Sequence, residues 1–200
     1  MNIRKATYQF RVSLKGISPQ IWRRIEVPAA YSFWDLHVAI QDSMGWLDYH
    51  LHRFLIRDRV THVIDEIGIP DEERLFDDET IPGWEMPLRV YFMKRDDRAE
   101  YLYDFGDGWQ HDVVLEGISE RLPKTKYPRC LGGARACPPE DCGGTGGYGR
   151  LLRIISDPYH DEYEDMMGWL GGGYDPEAFD PSAVHFDRPR KRWEMAFLDD

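Results

Sequence analysis

The sequence predicts an α+β fold: a mainly antiparallel sheet built from an N-terminal hairpin, one helix and further strands, with short C-terminal helices packed on it. Three observations carry this expectation. Residues 7 to 15 alternate between apolar and polar side chains at the period of a strand. Residues 33 to 44 repeat apolar side chains at helical spacing between a capping signal and a glycine. After a Cys/Gly-rich stretch, two short segments repeat the i, i+3, i+4, i+7 pattern of an amphipathic helix.

Along the chain, Tyr8, Phe10, Val12 and Leu14 share one face, and Gln9, Arg11, Ser13 and Lys15 share the other. The Gly16-Ile17-Ser18-Pro19 turn leads to a second run in which Ile21, Ile25 and Val27 share a face, so the two read as an antiparallel hairpin that Pro28 ends. Ser32 with Asp35 three residues later has the form of a capping box, and Phe33, Leu36, Ile40 and Met44 then lead to Gly45 as C-cap. Further strands are expected at His50 to Ile56, Leu88 to Met93, Glu100 to Phe105 and Trp109 to Glu116. Residues 57 to 87, rich in acids and prolines, give no clear element. The later helices carry Tyr148, Leu151, Leu152 and Ile155, then Tyr163, Met166, Met167 and Leu170. Asp157-Pro158 reads as the start of the second and Gly171 as its end, and Asp175-Pro176 and Asp180-Pro181 predict further helical turns. Residues 1 to 200 read as one domain, with a sheet-plus-helix core over 1 to 118 and the Cys/Gly-rich loop and helical part over 119 to 200.

The formal net charge is -11, which disfavours a protein that coats nucleic acid. The charge is uneven. Arg4, Lys5, Arg11, Lys15, Arg23 and Arg24 all precede the first acid, Glu26, whereas residues 157 to 181 hold eight acids and no Lys or Arg. A nucleic-acid partner is therefore an alternative confined to the basic hairpin. Residues 1 to 20 lack the apolar core of a signal peptide, and no apolar run approaches the roughly 18 residues of a membrane helix. A cytoplasmic chain with no membrane partner is the expectation, and in a reducing compartment three cysteines suggest thiol or metal chemistry before disulfides.

Two segments carry the candidate chemistry. In Tyr101 to His111 the Asp107-Gly108 dipeptide predicts a tight hairpin that gathers Asp104, Trp109 and His111 at one end of the sheet. From Cys130 to Gly147 the thiols of Cys130, Cys137 and Cys142 are spaced C-x6-C-x4-C, and with His111 or His160 they would complete a tetrahedral zinc set. Asp104, Asp107, Trp109, His111, Glu140, Asp141 and Tyr148 are the candidate ligand-binding residues, and zinc is the candidate cofactor. No Lys-Ser/Thr pair follows the glycines, which removes a nucleotide P-loop. A Cys137 and His111 nucleophilic pair needs a proximity that sequence does not supply, and adjacent Glu140 and Asp141 suit a turn as well as acid-base work. His50 and His52, two apart on an expected strand, would share a face as a metal pair.

Four stretches together resemble the plasmid pRiA4b ORF-3-like family, some of whose members carry a TnpR-type, insertion-element label. They are Phe10 to Val27 around Pro19-Gln20-Ile21-Trp22-Arg23-Arg24, Phe33 to Trp46, Tyr101 to His111, and Cys130 to Tyr148 with Cys137-Pro138-Pro139-Glu140-Asp141-Cys142-Gly143-Gly144. The resemblance spans nearly the whole chain and implies a single α+β domain. It carries no catalytic residues across. A serine recombinase needs clustered arginines around its nucleophile and a basic helix-turn-helix, which the acidic C-terminal third does not offer, so the label reads as genomic association. The leading functional expectation is a noncatalytic binding or interaction module with its site between the Asp104 to His111 hairpin and the Cys130 to Gly147 loop. The alternatives are a zinc-binding protein and a nucleic-acid-associated factor.

Overall fold

The computed structural model describes residues 2–70 and 80–198. Strand β1 (Ala6–Leu14) and β2 (Trp22–Pro28) pair antiparallel, with Tyr8 opposite Val27 and Phe10 opposite Ile25. Their alternating apolar residues face the core, where Phe10, Val12, Ile25 and Val27 are fully buried. Helix α1 (Phe33–Met44) follows with the expected capping box: Asp35 N donates to Ser32 Oγ at 3.2 Å and Ser32 N to Asp35 Oδ2 at 2.9 Å. Gly45 closes it in the left-handed conformation at φ +89°.

The remaining strands are β3 (His52–Arg57), β4 (Ile64–Gly68), β5 (Ile81–Pro82), β6 (Arg98–Tyr103), β7 (Trp109–Glu120) and β8 (Arg129–Ala134). They form one eight-stranded sheet in the order β5-β4-β3-β6-β7-β1-β2-β8, antiparallel throughout except for β4 with β5. Helix α1 covers one face through an aromatic layer, with Phe33 5.1 Å from Phe54 and Phe54 4.7 Å from Tyr101 between ring centroids. Helices α2 (Gly144–Ile155), α3 (Tyr163–Trp169) and α4 (Pro189–Phe197) complete the chain. Tyr148 and Leu151 of α2 join the same buried cluster as the sheet. Trp34 Nε1 of α1 donates to Pro189 O at 3.0 Å, which seats α4 on α1.

Four expectations are corrected. Leu88 to Met93 is not a strand: Leu88–Val90 is a 3-10 turn, and Phe92 N donates to Leu88 O at 2.9 Å. Leu88, Tyr91 and Phe92 are buried while Val90 between them is 41% exposed, which is the i, i+3, i+4 pattern of a helical turn and not the alternation of a strand. Strand β3 begins at His52, so His50 lies outside it and the two histidines do not share a strand face. Asp157-Pro158 does not start the second short helix; Asp157 Oδ1 instead accepts from Tyr159 N at 2.9 Å in a turn before α3. Finally, the Cys130 to Gly147 segment is less of a loop than expected, because its first residues lie in β8 and its last in α2.

Candidate functional site

The hairpin of β6 and β7 closes through five residues, Asp104 to Gly108, with Tyr103 paired to Trp109 across it. Asp104 adopts φ +53°, and its Oδ1 accepts from Gly106 N at 2.9 Å and Asp107 N at 3.2 Å. The expected gathering of Asp104, Trp109 and His111 does not occur. Trp109 and His111 are two apart on β7 and both point into the core, fully buried, while Asp104 stays in the turn. His111 Nδ1-H donates to Tyr101 O at 3.2 Å, Nε2 has no partner, and burial lowers the pKa to about 3.

The chain from Cys137 to Gly144 packs directly against this hairpin. Asp107 Oδ2 accepts from Gly143 N at 3.0 Å. Gly144, at φ +65°, lies so close that a Cβ there would stand 2.3 Å from Asp107 O, and a Cβ on Gly147 would stand 1.8 Å from Cys142 O. Glu140 turns inward, where its Oε1 accepts from Leu47 N at 2.8 Å and from the Tyr103 hydroxyl at 3.0 Å. Its Oε2 is buried without a partner, and burial raises its carboxyl pKa. Tyr148, expected at the ligand, is buried against the Tyr174 hydroxyl at 3.0 Å.

At this junction His50 Nε2 stands 3.1 Å from Asp141 Oδ1 and 3.6 Å from Asp104 Oδ2. The expected sulfur set does not form a comparable group. Among the described residues, two groups of three or more His, Cys, Asp or Glu bring their donor atoms within 4.8 Å of one another: His50, Asp104 and Asp141, and His37, Asp48 and His52. Neither contains a cysteine. Cys130 lies in β8 with Sγ 3.5 Å from Gly132 O, Cys142 lies two residues before α2, and His111 faces the sheet core. Burial raises all three thiols, that of Cys142 up to about 12. His160 sits in an exposed turn, its Nδ1 accepting from Glu162 N at 3.1 Å.

The second group is a core network. His37 Nδ1 lies 2.8 Å from the Tyr101 hydroxyl and Nε2 lies 2.8 Å from Asp48 Oδ1, so both its ring nitrogens are engaged. His52 stacks on His37 with ring centroids 3.4 Å apart.

On the outer side of the junction, Asp141 and Cys142 open onto a cleft of about 350 Å³ that continues along Arg150, Glu162, Asp165 and Trp169. Arg150 pairs with Glu162 across it. Trp169 is 52% exposed, unusual for an indole at the end of a helix that packs on the domain. Neither this cleft nor the role of His50 was anticipated, because α3 and the segment before β3 meet the hairpin only in the folded chain. The acidic run over 157 to 181 beside Trp169 was the available sequence signal.

The basic residues of the first hairpin are largely engaged internally. Arg24 holds Glu116 through two bonds of 2.6 and 2.9 Å, and Lys15 holds Glu100 at 2.8 Å. Arg23 is buried and donates to the carbonyls of Ser43, Trp22 and Ala134. No helix among the described residues is long and apolar enough to cross a membrane.

A family model described as plasmid pRiA4b ORF-3-like protein matches residues 6–183. A relative from Sinorhizobium fredii, named uncharacterized protein y4hQ, is 32% identical over 184 residues, covering 92% of this chain and 88% of its own. The crystal structure of a protein of unknown function, MM3350 from Methanosarcina mazei Go1, superposes with a TM-score of 0.83 at 44% identity, covering 91% of this chain and 99% of that one.

Proposed function

The chain belongs to the plasmid pRiA4b ORF-3-like family, and from that premise we propose that it is a noncatalytic binding module whose cleft takes a small organic cation. The observation that carries the reading is the cleft itself, in which the exposed indole of Trp169 stands with the carboxylates of Asp141, Glu162 and Asp165 around a floor of Leu151 and Met166. An indole face attracts an ammonium or guanidinium by about 0.5–2 kcal/mol, and carboxylates on the rim add long-range attraction. Among the described residues Arg150 is the one cation lining the cleft, and it is paired with Glu162. The absence of Lys and Arg from residues 157 to 181 keeps the surrounding potential negative.

The burial of Trp109 and His111 supports a binding role over an acid-base one, since neither ring can reach a molecule in the cleft. The internal pairing of Arg24 and Lys15 weakens the nucleic-acid alternative. The test is a titration of the full chain with spermidine and with tetramethylammonium, following the Trp169 indole N-H by NMR. Saturable shifts that disappear in Asp165→Asn are the expected result. Unmoved Trp169 resonances at about 1 mM ligand, a binding free energy weaker than about -4 kcal/mol, would remove the reading.

A further inference from the structure

We propose that His50, Asp104 and Asp141 form a binding site for a divalent metal ion of the zinc or manganese class. The site borders the cation cleft and shares Asp141 with it but uses none of Trp169, Glu162 and Asp165, and the inference does not depend on that reading.

Three sequence-distant segments deliver one donor each: the chain before β3, the β6–β7 turn, and the loop ahead of α2. Their donor atoms lie within 4.8 Å of one another. The two separations from His50 Nε2, 3.1 and 3.6 Å, bracket the roughly 3.3 Å that separates two ligands 2.0–2.1 Å from a tetrahedral zinc. One imidazole with two carboxylates is a borderline donor set, suited to zinc or manganese better than to calcium or magnesium, which prefer oxygen alone.

Two further observations separate this group from an ordinary surface ion pair. His50 Nε2 is shielded from solvent yet makes no hydrogen bond, although a carboxylate oxygen is 3.1 Å away; the ring is not aligned to donate to it. The Asp104 side chain is only 8% exposed, and its Oδ1 is consumed by the turn, which leaves Oδ2 with no hydrogen bond and turned toward His50. The shielded, unpartnered imidazole nitrogen of His50 facing a carboxylate oxygen of the largely buried Asp104 is an arrangement suited to ligating a cation. Asp141, whose side chain is 67% exposed and whose backbone is held at φ +56°, reaches the same point from the solvent side and leaves that side open for water or a further ligand.

The experiment is calorimetric titration of chelator-treated full-length protein with Zn²⁺, Mn²⁺, Mg²⁺ and Ca²⁺. One Zn²⁺ per chain is expected, with Mg²⁺ and Ca²⁺ much weaker. His50→Gln and Asp141→Asn should each weaken Zn²⁺ by at least about tenfold, the lower bound for loss of even an outer-shell partner. Asp141→Asn is the variant that keeps the test decisive if others misfold, because that side chain is exposed. His50 Nε2 should shift in imidazole ¹⁵N spectra as metal is added, a readout that a purely structural role would not move. Cys142→Ser, His52→Gln and Asp165→Asn should bind as wild type. Absence of Zn²⁺ heat at about 100 µM, which means a dissociation constant weaker than about that concentration, overturns the proposal. So does undiminished binding in both His50→Gln and Asp141→Asn, or its loss in Cys142→Ser or His52→Gln. Loss of spermidine binding in Asp165→Asn with Zn²⁺ binding intact would show the two sites to be separate.

Discussion

The carboxylate of Asp107 accepts a hydrogen bond from the Gly143 amide at 3.0 Å, and this contact fastens the β6–β7 hairpin to the start of α2. The neighbouring Gly144 is held at φ +65° with no room for a side chain. Gly144→Ala should therefore destabilise the fold by about 2–4 kcal/mol, combining a left-handed alanine with a clash against backbone. Chemical denaturation reads this directly, and a loss below about 0.5 kcal/mol would mean that the hairpin and the loop separate easily.

His111 makes stability depend on pH in a defined direction. Burial holds its folded pKa near 3, well below the value of about 6.5 in an unfolded chain. Below pH 6.5 the unfolded chain takes up a proton that the folded one refuses, so this contribution is complete above pH 6.5 and is lost as pH falls toward 3. The slope is up to about 1.4 kcal/mol per pH unit. Urea midpoints at pH 7, 6 and 5 should fall accordingly, and His111→Leu should flatten the trend; an unchanged slope in the variant would assign it to other groups.

Arg23 is a buried cation without a carboxylate. Its guanidinium donates to Ser43 O at 2.8 Å, Trp22 O at 2.9 Å and Ala134 O at 3.0 Å, and lies 3.7 Å over the ring of Phe179. Arg23→Lys keeps the charge but loses the planar fork, and should cost about 2–4 kcal/mol. A thermal-shift measurement within a degree or so of wild type would contradict this account.

The regular elements were legible where local pattern and burial agree. The alternation of Tyr8 to Leu14 and the Ser32 to Gly45 helix are written in nearest neighbours, and the fold reproduces both. Leu88 to Phe92 shows the opposite case, since a mostly apolar run with β-forming Val90 and Tyr91 became a helical turn once tertiary packing buried Leu88, Tyr91 and Phe92 together. At the site, the sequence singled out Asp104, Asp107, Glu140 and Asp141, and the structure places all four around the hairpin and loop. Local spacing pairs His50 with His52, whereas in the fold its imidazole meets Asp104 and Asp141, 54 and 91 residues further along the chain, and no local pattern encodes such a meeting. The cysteines carry the same lesson, since the C-x6-C-x4-C spacing does not say where three thiols lie once the first belongs to a strand and the last stands just ahead of a helix.

Arg192 ties the C-terminal helix down. It reaches Asp42 Oδ1 and Asp187 Oδ2, each at 2.7 Å, beside the buried Trp34. Arg192→Met should loosen α4 while leaving the sheet intact, and limited trypsin digestion should cleave at Arg190 or Lys191 several-fold faster than in wild type. Equal cleavage rates would mean that packing of Trp193 and Phe197 alone holds the helix.

Strand β1 lies near the middle of the sheet, hydrogen-bonded on one side to β2 and on the other to β7, so that Ala6 faces Glu120 and Leu14 faces His111. A ribosome makes these partners 97 to 114 residues apart. While the chain is being synthesised, the first hairpin waits with one complete row of backbone donors and acceptors unmatched, at the age when a nascent chain is most exposed to its neighbours on a polysome. The last pairing partner of β1 is thus made late, and the central row of the sheet closes only after β7 has been synthesised.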